Sequence, residues 1–369
     1  MTRNTTKRIQ RAVLAALLFT TGCGGLSSAE EPAAEVAGEQ RALMNHGEFL
    51  FRQETFGGNG RTCETCHSMA TGTVSPADLQ ARYQQNPNDP MFRALDSDDG
   101  SSGSSYQRLL ADATILVSLP LPSNTQLLLS SATQVTLRRG IPSTLDTPAL
   151  DPILMMDGRE PSLTSQAHSA IMGHAQATRQ PTVGELDQIA SFEQTLFSSQ
   201  ALKDYAQTGV PPSLPEGNTD SERRGRAFFL PQGACGQCHS GPLLNETGAR
   251  NYLGQPVGSR FSNALISEVN VPLNPVYSFV IRPPGALLPE VRTSPDPGRF
   301  LITGRIEDFN MFKMGSLRNI KNTAPYFHDN SAKTLDQVMD HYTVMLLTTQ
   351  ATVVTPQDRA DILAYLQLL

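Results

Sequence analysis

Four of the five cysteines fall into two identical arrangements, Cys63-Glu64-Thr65-Cys66-His67 and Cys235-Gly236-Gln237-Cys238-His239. The spacing suits one piece of chemistry. Two thiols separated by two residues reach the two vinyl groups of one haem, and the adjacent imidazole reaches its iron as proximal ligand. A zinc site could use the same four thiols, but zinc gives no reason for a histidine to follow the second cysteine in both copies. The residues therefore point to two covalently bound haem c groups, with His67 and His239 as metal ligands.

The elements that must position these motifs repeat as well. Ahead of the first motif the chain runs from Arg41 through Gly47 to Leu50-Phe51, and ahead of the second from Glu222 through Gly225 to Phe228-Phe229. Each is an amphipathic helical stretch with a glycine three or four residues before an apolar pair. A helical glycine costs about 1 kcal/mol relative to alanine, so two at equivalent places suggest close backbone packing. Thr182 and Glu185 predict a capping box for a helix over Val183–Phe197, with Leu186, Ile189, Phe192 and Leu196 on one face. Thr334 with Gln337 predicts another through Tyr342, and Thr355-Pro356 opens a last one. Ser75-Pro76 starts a short helix, and residues 95–105 read as an open loop. Ile115–Leu121 and Gln134–Arg138 are strand-like and suggest a hairpin, and residues 271–305 hold further extended segments. The expected fold class is mainly α with minor β.

Residues 1–22 read as a signal peptide, with Arg3, Lys7, Arg8 and Arg11 before the short apolar run Ala12 to Phe19. Cys23 then follows a small residue, as in a bacterial lipobox, although Thr20 stands where such boxes carry Leu. Lipidation of Cys23 is one reading, and ordinary cleavage nearby is the other. Residues 23–38 read as a tether. The expected location is the periplasm, with the chain soluble or held at a membrane as a lipoprotein. Removing the four leader cations takes the net charge from -6 to -10, which leaves no basic excess for nucleic acid. With 39% hydrophobic and 17% charged residues the chain is too apolar for wholesale disorder.

The segment Phe312-Lys313-Met314 through Leu317-Arg318-Asn319-Ile320, then Thr323-Ala324-Pro325-Tyr326-Phe327-His328-Asp329 and Thr334-Leu335, resembles the C-terminal half of the bacterial di-haem cytochrome c peroxidases, a family that includes MauG. Leu154-Met155-Met156-Asp157-Gly158-Arg159, with Leu163, Gln166 and Ala167, is similar to that family's W-D-G-R…L…Q-A segment. The resemblance covers most of residues 40–369 outside 70–140. It implies two cytochrome-c-like helical domains, 39–205 with a hairpin-containing insert at 70–140, and 218–369. It further implies hydrogen peroxide as substrate at the first haem, and a second haem that relays or stores electrons. A small redox protein, a cytochrome or cupredoxin, would be the electron donor.

Carried over residue by residue, the match is uneven. Tyr342 occupies the place of the family's sixth ligand to the second iron, a Met or a Tyr, with Met339, Met345 and His341 close enough to compete. His328 matches a residue beside the second haem. The family's distal carboxylate, ten residues beyond Gln166, is Gln176 here; an amide cannot shuttle a proton. His174 or His168 could take that part or ligate the iron, and His174 is nearest in sequence. The family's inter-haem Trp is Met156, and the chain has no Trp at all. Asp96, Asp98 and Asp99 could donate oxygens to calcium, although a solvated loop is the simpler reading. The resemblance thus implies a peroxidase. Gln176 and the missing Trp favour a non-catalytic electron carrier instead, and Tyr342 favours a MauG-like or oxygenase-type enzyme.

Overall fold

Apolar side chains in each half gather around a helix crossing set by a glycine. The structure, a computed structural model, describes residues 45–269 and 275–369; the signal peptide, Cys23 and the tether lie outside them. In chain order the helices are α1 (45–52), α2 (Cys63–Cys66), α3 (Pro76–Gln85) and α4 (Gln107–Asp112). After the strands β1 (Thr114–Pro120), β2 (Thr125–Leu127) and β3 (Gln134–Gly140) come α5 (Thr147–Leu150), α6 (Leu163–Gly173), α7 (Val183–Glu193), α8 (Gln200–Thr208) and α9 (Asp220–Ala227). The remainder holds β4 (Phe261–Ser262), α10 (Ile266–Val269), β5 (Tyr277–Ile281), β6 (Glu290–Ser294), α11 (Phe300–Thr303), β7 (Phe312–Lys313), α12 (Leu335–Gln350) and α13 (Pro356–Leu366). The chain is largely helical with small sheets. Among the described residues no helix is long and apolar enough to cross a membrane.

Each glycine meets a later helix of its own half at closest approach. A Cβ on Gly47 would lie 2.2 Å from the Gln188 carbonyl oxygen of α7, and one on Gly225 2.0 Å from the Asp361 carbonyl oxygen of α13. Around the first crossing pack Leu50, Phe51, Ile189 and Phe192; around the second pack Phe229, Ile362, Tyr365 and Leu366. α7 stops at Glu193, short of Phe197, because the chain turns there to bond Asp146: Asp146 N donates to the Leu196 carbonyl (2.9 Å) and Ser198 N donates to Asp146 Oδ1 (2.8 Å). α12 runs on well past Tyr342 to Gln350. Its Thr334 cap accepts from Gln337 N at 3.2 Å, whereas the Gln337 side chain turns to Lys333 N.

β1 and β3 pair antiparallel from Thr114↔Gly140 to Pro120↔Gln134. The strand between them leaves this pair: β2 joins β5 through Thr125↔Ile281, and β5 pairs β6. The apolar layer beneath the strands draws Val117, Val135 and Leu137 from one part of the chain and Phe279, Ile281 and Phe300 from another. The stretch 114–140 is thus built into the later half as well as its own, and the described residues form one compact unit. Arg139 on β3 ties the same parts together, its Nε 2.8 Å and Nη2 2.9 Å from the Asp296 carboxylate, with Nη1 on Asp157. Residues 95–105 do not form an open loop. They hold two short 3-10 turns, and Asp96 is wholly buried.

Candidate functional site

Each Cys-x-x-Cys-His motif lines its own cavity, and one backbone hydrogen bond recurs in both turns. His67 N donates to the Cys63 carbonyl (3.0 Å) and His239 N to the Cys235 carbonyl (2.8 Å). The imidazoles are locked alike. Nδ1 of His67 lies 2.8 Å from the Gly72 carbonyl oxygen, and Nδ1 of His239 lies 2.8 Å from that of Leu244. A carbonyl can only accept, so Nδ1 carries the proton and Nε2 keeps a free lone pair, the tautomer a metal ligand needs. Burial pushes both imidazoles below their ordinary value, against the pull of those carbonyls. Burial also pushes the thiols up, Cys235 to about 12 and Cys238 to about 11, so they stand as neutral thiols, none in a disulfide.

The first cavity is lined by Cys63, Cys66 and His67, and the second by Cys235, Cys238 and His239. The pairs are therefore apart, and among the described residues no three Cys, His, Asp or Glu side chains converge on a metal, which removes the four-thiolate zinc alternative. A thiol pair, one imidazole with a free Nε2 and a large, mostly apolar wall suit a haem c in each cavity.

Helix periodicity decides which candidates reach the cavities. On α6 the stripe Leu163, Gln166, Ala167, Ala170, Ile171 and His174 lines the first cavity. His174 Nδ1 is buried with no partner, and burial pushes its imidazole down while the Asp96 carboxylate opposes this. His168 falls off the stripe and bonds Gln180 through Nε2 (3.0 Å). Gln176 lies beyond the helix end with φ +50°, and is exposed; its Oε1 accepts from Asn59 Nδ2 at 3.1 Å. The structure thus brings Gln166 and His174 to the cavity and leaves Gln176 and His168 outside it, because the left-handed turn after α6 carries the chain away.

On α12 the stripe Leu335, Val338, Met339, Tyr342, Met345 and Leu346 lines the second cavity. His341 points elsewhere, with Nε2 donating to the Ala264 carbonyl (2.7 Å). Burial raises the Tyr342 phenol and pushes that of Tyr252, on the same wall, up to about 12. His328 lines this cavity too, stacked on Phe312 with ring centroids 3.7 Å apart and Nδ1 unpartnered.

The acidic run does not converge. Arg61 Nη1 lies 2.8 Å from Asp96 Oδ2, Arg108 Nε lies 3.2 Å from Asp98 Oδ1, and Asp99 accepts from Ser104. Asp96 therefore serves as the buried counterion of Arg61, itself on the first cavity's wall, so the solvated reading fails for Asp96 and holds for the exposed Asp98 and Asp99, and the three carboxylates do not converge on a calcium site.

Two residues escaped the sequence reading. Glu193 lines the first cavity, its Oε2 buried and unpartnered, and burial alone pushes its carboxyl up to about 8. The signal was a carboxylate four positions after Ile189, on the apolar stripe of α7. Lys313 lines both cavities, as does Met156.

No family model matches the chain. It is 29% identical over 221 residues to cytochrome-c peroxidase IdrP1 of Pseudomonas sp. (strain SCT), covering 51% of this chain and 55% of that one. It is 32% identical over 152 residues to cytochrome c551 peroxidase of Nitrosomonas europaea (strain ATCC 19718 / CIP 103999 / KCTC 2705 / NBRC 14298), covering 41% and 34%. These matches span about half or less of the relatives' length. Among solved structures, a MauG-like protein associated with microbial copper homeostasis aligns with a TM-score of 0.51 at 20% identity, over 89% of this chain and 88% of that chain. The likeness is one of fold.

Proposed function

We propose that this chain, a relative of the bacterial di-haem cytochrome c peroxidases and MauG-like proteins, is an oxidoreductase that reduces hydrogen peroxide at its first cavity. The observation that carries this reading is the twin lock of His67 on Gly72 and His239 on Leu244, each beside a cysteine pair in a mostly apolar cavity. Cys63 and Cys66 would hold one haem c, and Cys235 and Cys238 the other, in cytochrome-c-like domains spanning 39–205, with its insert at 70–140, and 218–369.

Bound haem supplies a Lewis-acidic iron and the means of passing single electrons. The chain's own residues do the rest. The Gly72 carbonyl fixes the His67 ring and raises the basicity of Nε2. The Gln166 amide is available to orient peroxide by hydrogen bonding. His174 takes the proton of one peroxide oxygen at Nδ1 and returns it to the departing oxygen, a transfer worth about 10²–10⁴-fold. The apolar α6 stripe keeps bulk water from that exchange. In the second cavity, Tyr342 offers a hard oxygen donor where Met339 and Met345 offer soft sulfur. A small cytochrome or cupredoxin would supply electrons, in the periplasm, with Cys23 as the lipid attachment point.

Tyr342 also supports a second reading, a MauG-like enzyme that oxidises another substrate. The test is direct. Protein produced with haem-attachment machinery should retain two haems per chain in acidified organic solvent and consume peroxide with a reduced cytochrome. Extractable haem would end the assignment. Peroxide consumption without cytochrome oxidation would favour the second reading.

A further inference from the structure

Lys313 stands in the wall common to both cavities, on β7. Its backbone N donates to the Met156 carbonyl at 2.7 Å, joining the two residues that line both spaces. Its Nζ is buried, donating to Asp151 Oδ2 at 3.1 Å and to the Ile153 carbonyl at 2.7 Å. Asp151 is held in turn by Asn245 Nδ2 (2.7 Å), and Arg260 Nη1 lies 3.8 Å from its Oδ1. Among the described residues Lys313 is the only lysine, arginine or carboxylate on the second cavity's wall, whereas the first cavity's wall adds Arg61, Glu54 and Glu193; the Asp151 carboxylate opposes the burial that would discharge the Lys313 ammonium.

We propose that Lys313 is a positioning charge that sets the reduction potentials of both haems together, with Asp151 as its counterweight. The inference rests on the proposal that each cavity holds a haem. A reduced iron carries one electron more than an oxidised one. A buried cation therefore favours the reduced state of any iron near it, and low dielectric and excluded water let that influence reach into both cavities. A residue belonging to one cavity would tune one haem. Lys313 tunes two in the same direction, keeping their difference nearly fixed while moving both.

The experiment is a spectroelectrochemical titration of the haem-loaded full chain. In Lys313→Met both potentials should fall, each reduction equilibrium shifting at least about tenfold, or about 59 mV. Lys313→Arg should leave both near wild type. Asp151→Asn should raise both, and the double variant should bring them back toward wild type, a sign pattern that packing damage does not produce. A shift in one haem only, no shift, or the same sign in both single variants would overturn the proposal. If Lys313→Met does not fold, the Asp151→Asn arm decides by the same criterion. A wild-type chain with no covalent haem would defeat the functional reading, and this one with it, whereas two normal haems with unmoved potentials defeat this one alone.

Discussion

The first cavity's wall includes Glu54, Arg61, His174 and Glu193, whereas the second presents Tyr252, Tyr342, Met339 and Met345 and has no carboxylate. Both share the histidine lock and the glycine crossing. The frame is therefore duplicated and the lining is not. Carboxylates and a guanidinium line the first cavity, whereas phenols and thioethers, the candidate iron ligands, line the second. Reducing peroxide needs protons and electrons at one place, while storing an electron needs only a well-ligated iron. Under the proposed function, this difference in lining is what separates the two tasks.

Removing the proton carrier should break the comparison most visibly. His174→Ala should lower peroxide consumption by about 10²-fold, measured under steady state with the second haem's spectrum unchanged. If the rate rises and the first haem turns from low to high spin, His174 is a gating ligand instead.

Glu193→Gln probes the same cavity through stability. The Glu193 carboxyl sits at about 8 in the folded chain, above its ordinary 4.5, so between those values the folded state holds a proton that the unfolded state has lost. Wild-type stability contributed by this group is complete below about pH 4.5 and is lost as pH rises to about 8. The glutamine variant, which has no such slope, should gain on wild type by on the order of 2–4 kcal/mol between pH 5 and pH 8. Parallel denaturation curves at the two pH values would show that Glu193 is not a buried neutral acid.

Tyr342→Phe should change the low-spin ferric signal of the second haem and leave the first haem's spectrum unaltered. An unaltered signal would pass the ligand role to Met339 or Met345. The smallest effect is expected from Gln176→Glu. Its side chain faces Asn59 outside the cavity, so restoring a carboxylate there should leave the rate within about twofold. A large gain would mean that the turn after α6 reorganises when the cavity is filled.

How much of this was legible beforehand differs by residue. The cysteine pairs, Gly47, Gly225 and the α12 stripe through Tyr342 could be read because spacing and helical period are local properties. Gln176 was misread because counting along a chain assumes the helix continues, and one residue at φ +50° defeats the count. Asp96 looked solvated because its partner Arg61 is distant in sequence. The departure of β2 from its neighbours to join β5 involves a pairing that no local pattern encodes. Lys313 was visible only as part of a motif; that it faces two cavities depends on where β7 and the Met156 segment meet.

The pairing of Thr125 with Ile281 also imposes an order on biosynthesis. During N-to-C synthesis, β2 and the apolar faces of Val117, Val135 and Leu137 exist long before Phe279, Ile281 and Phe300 emerge to cover them. The first cavity likewise waits for Lys313 to complete its wall. Such long-range closure slows folding and leaves sticky surface bare in the interval. The first haem motif is thus made well before the pocket around it can close, and a fragment ending after α8 would be a nascent-chain intermediate, not a free-standing module.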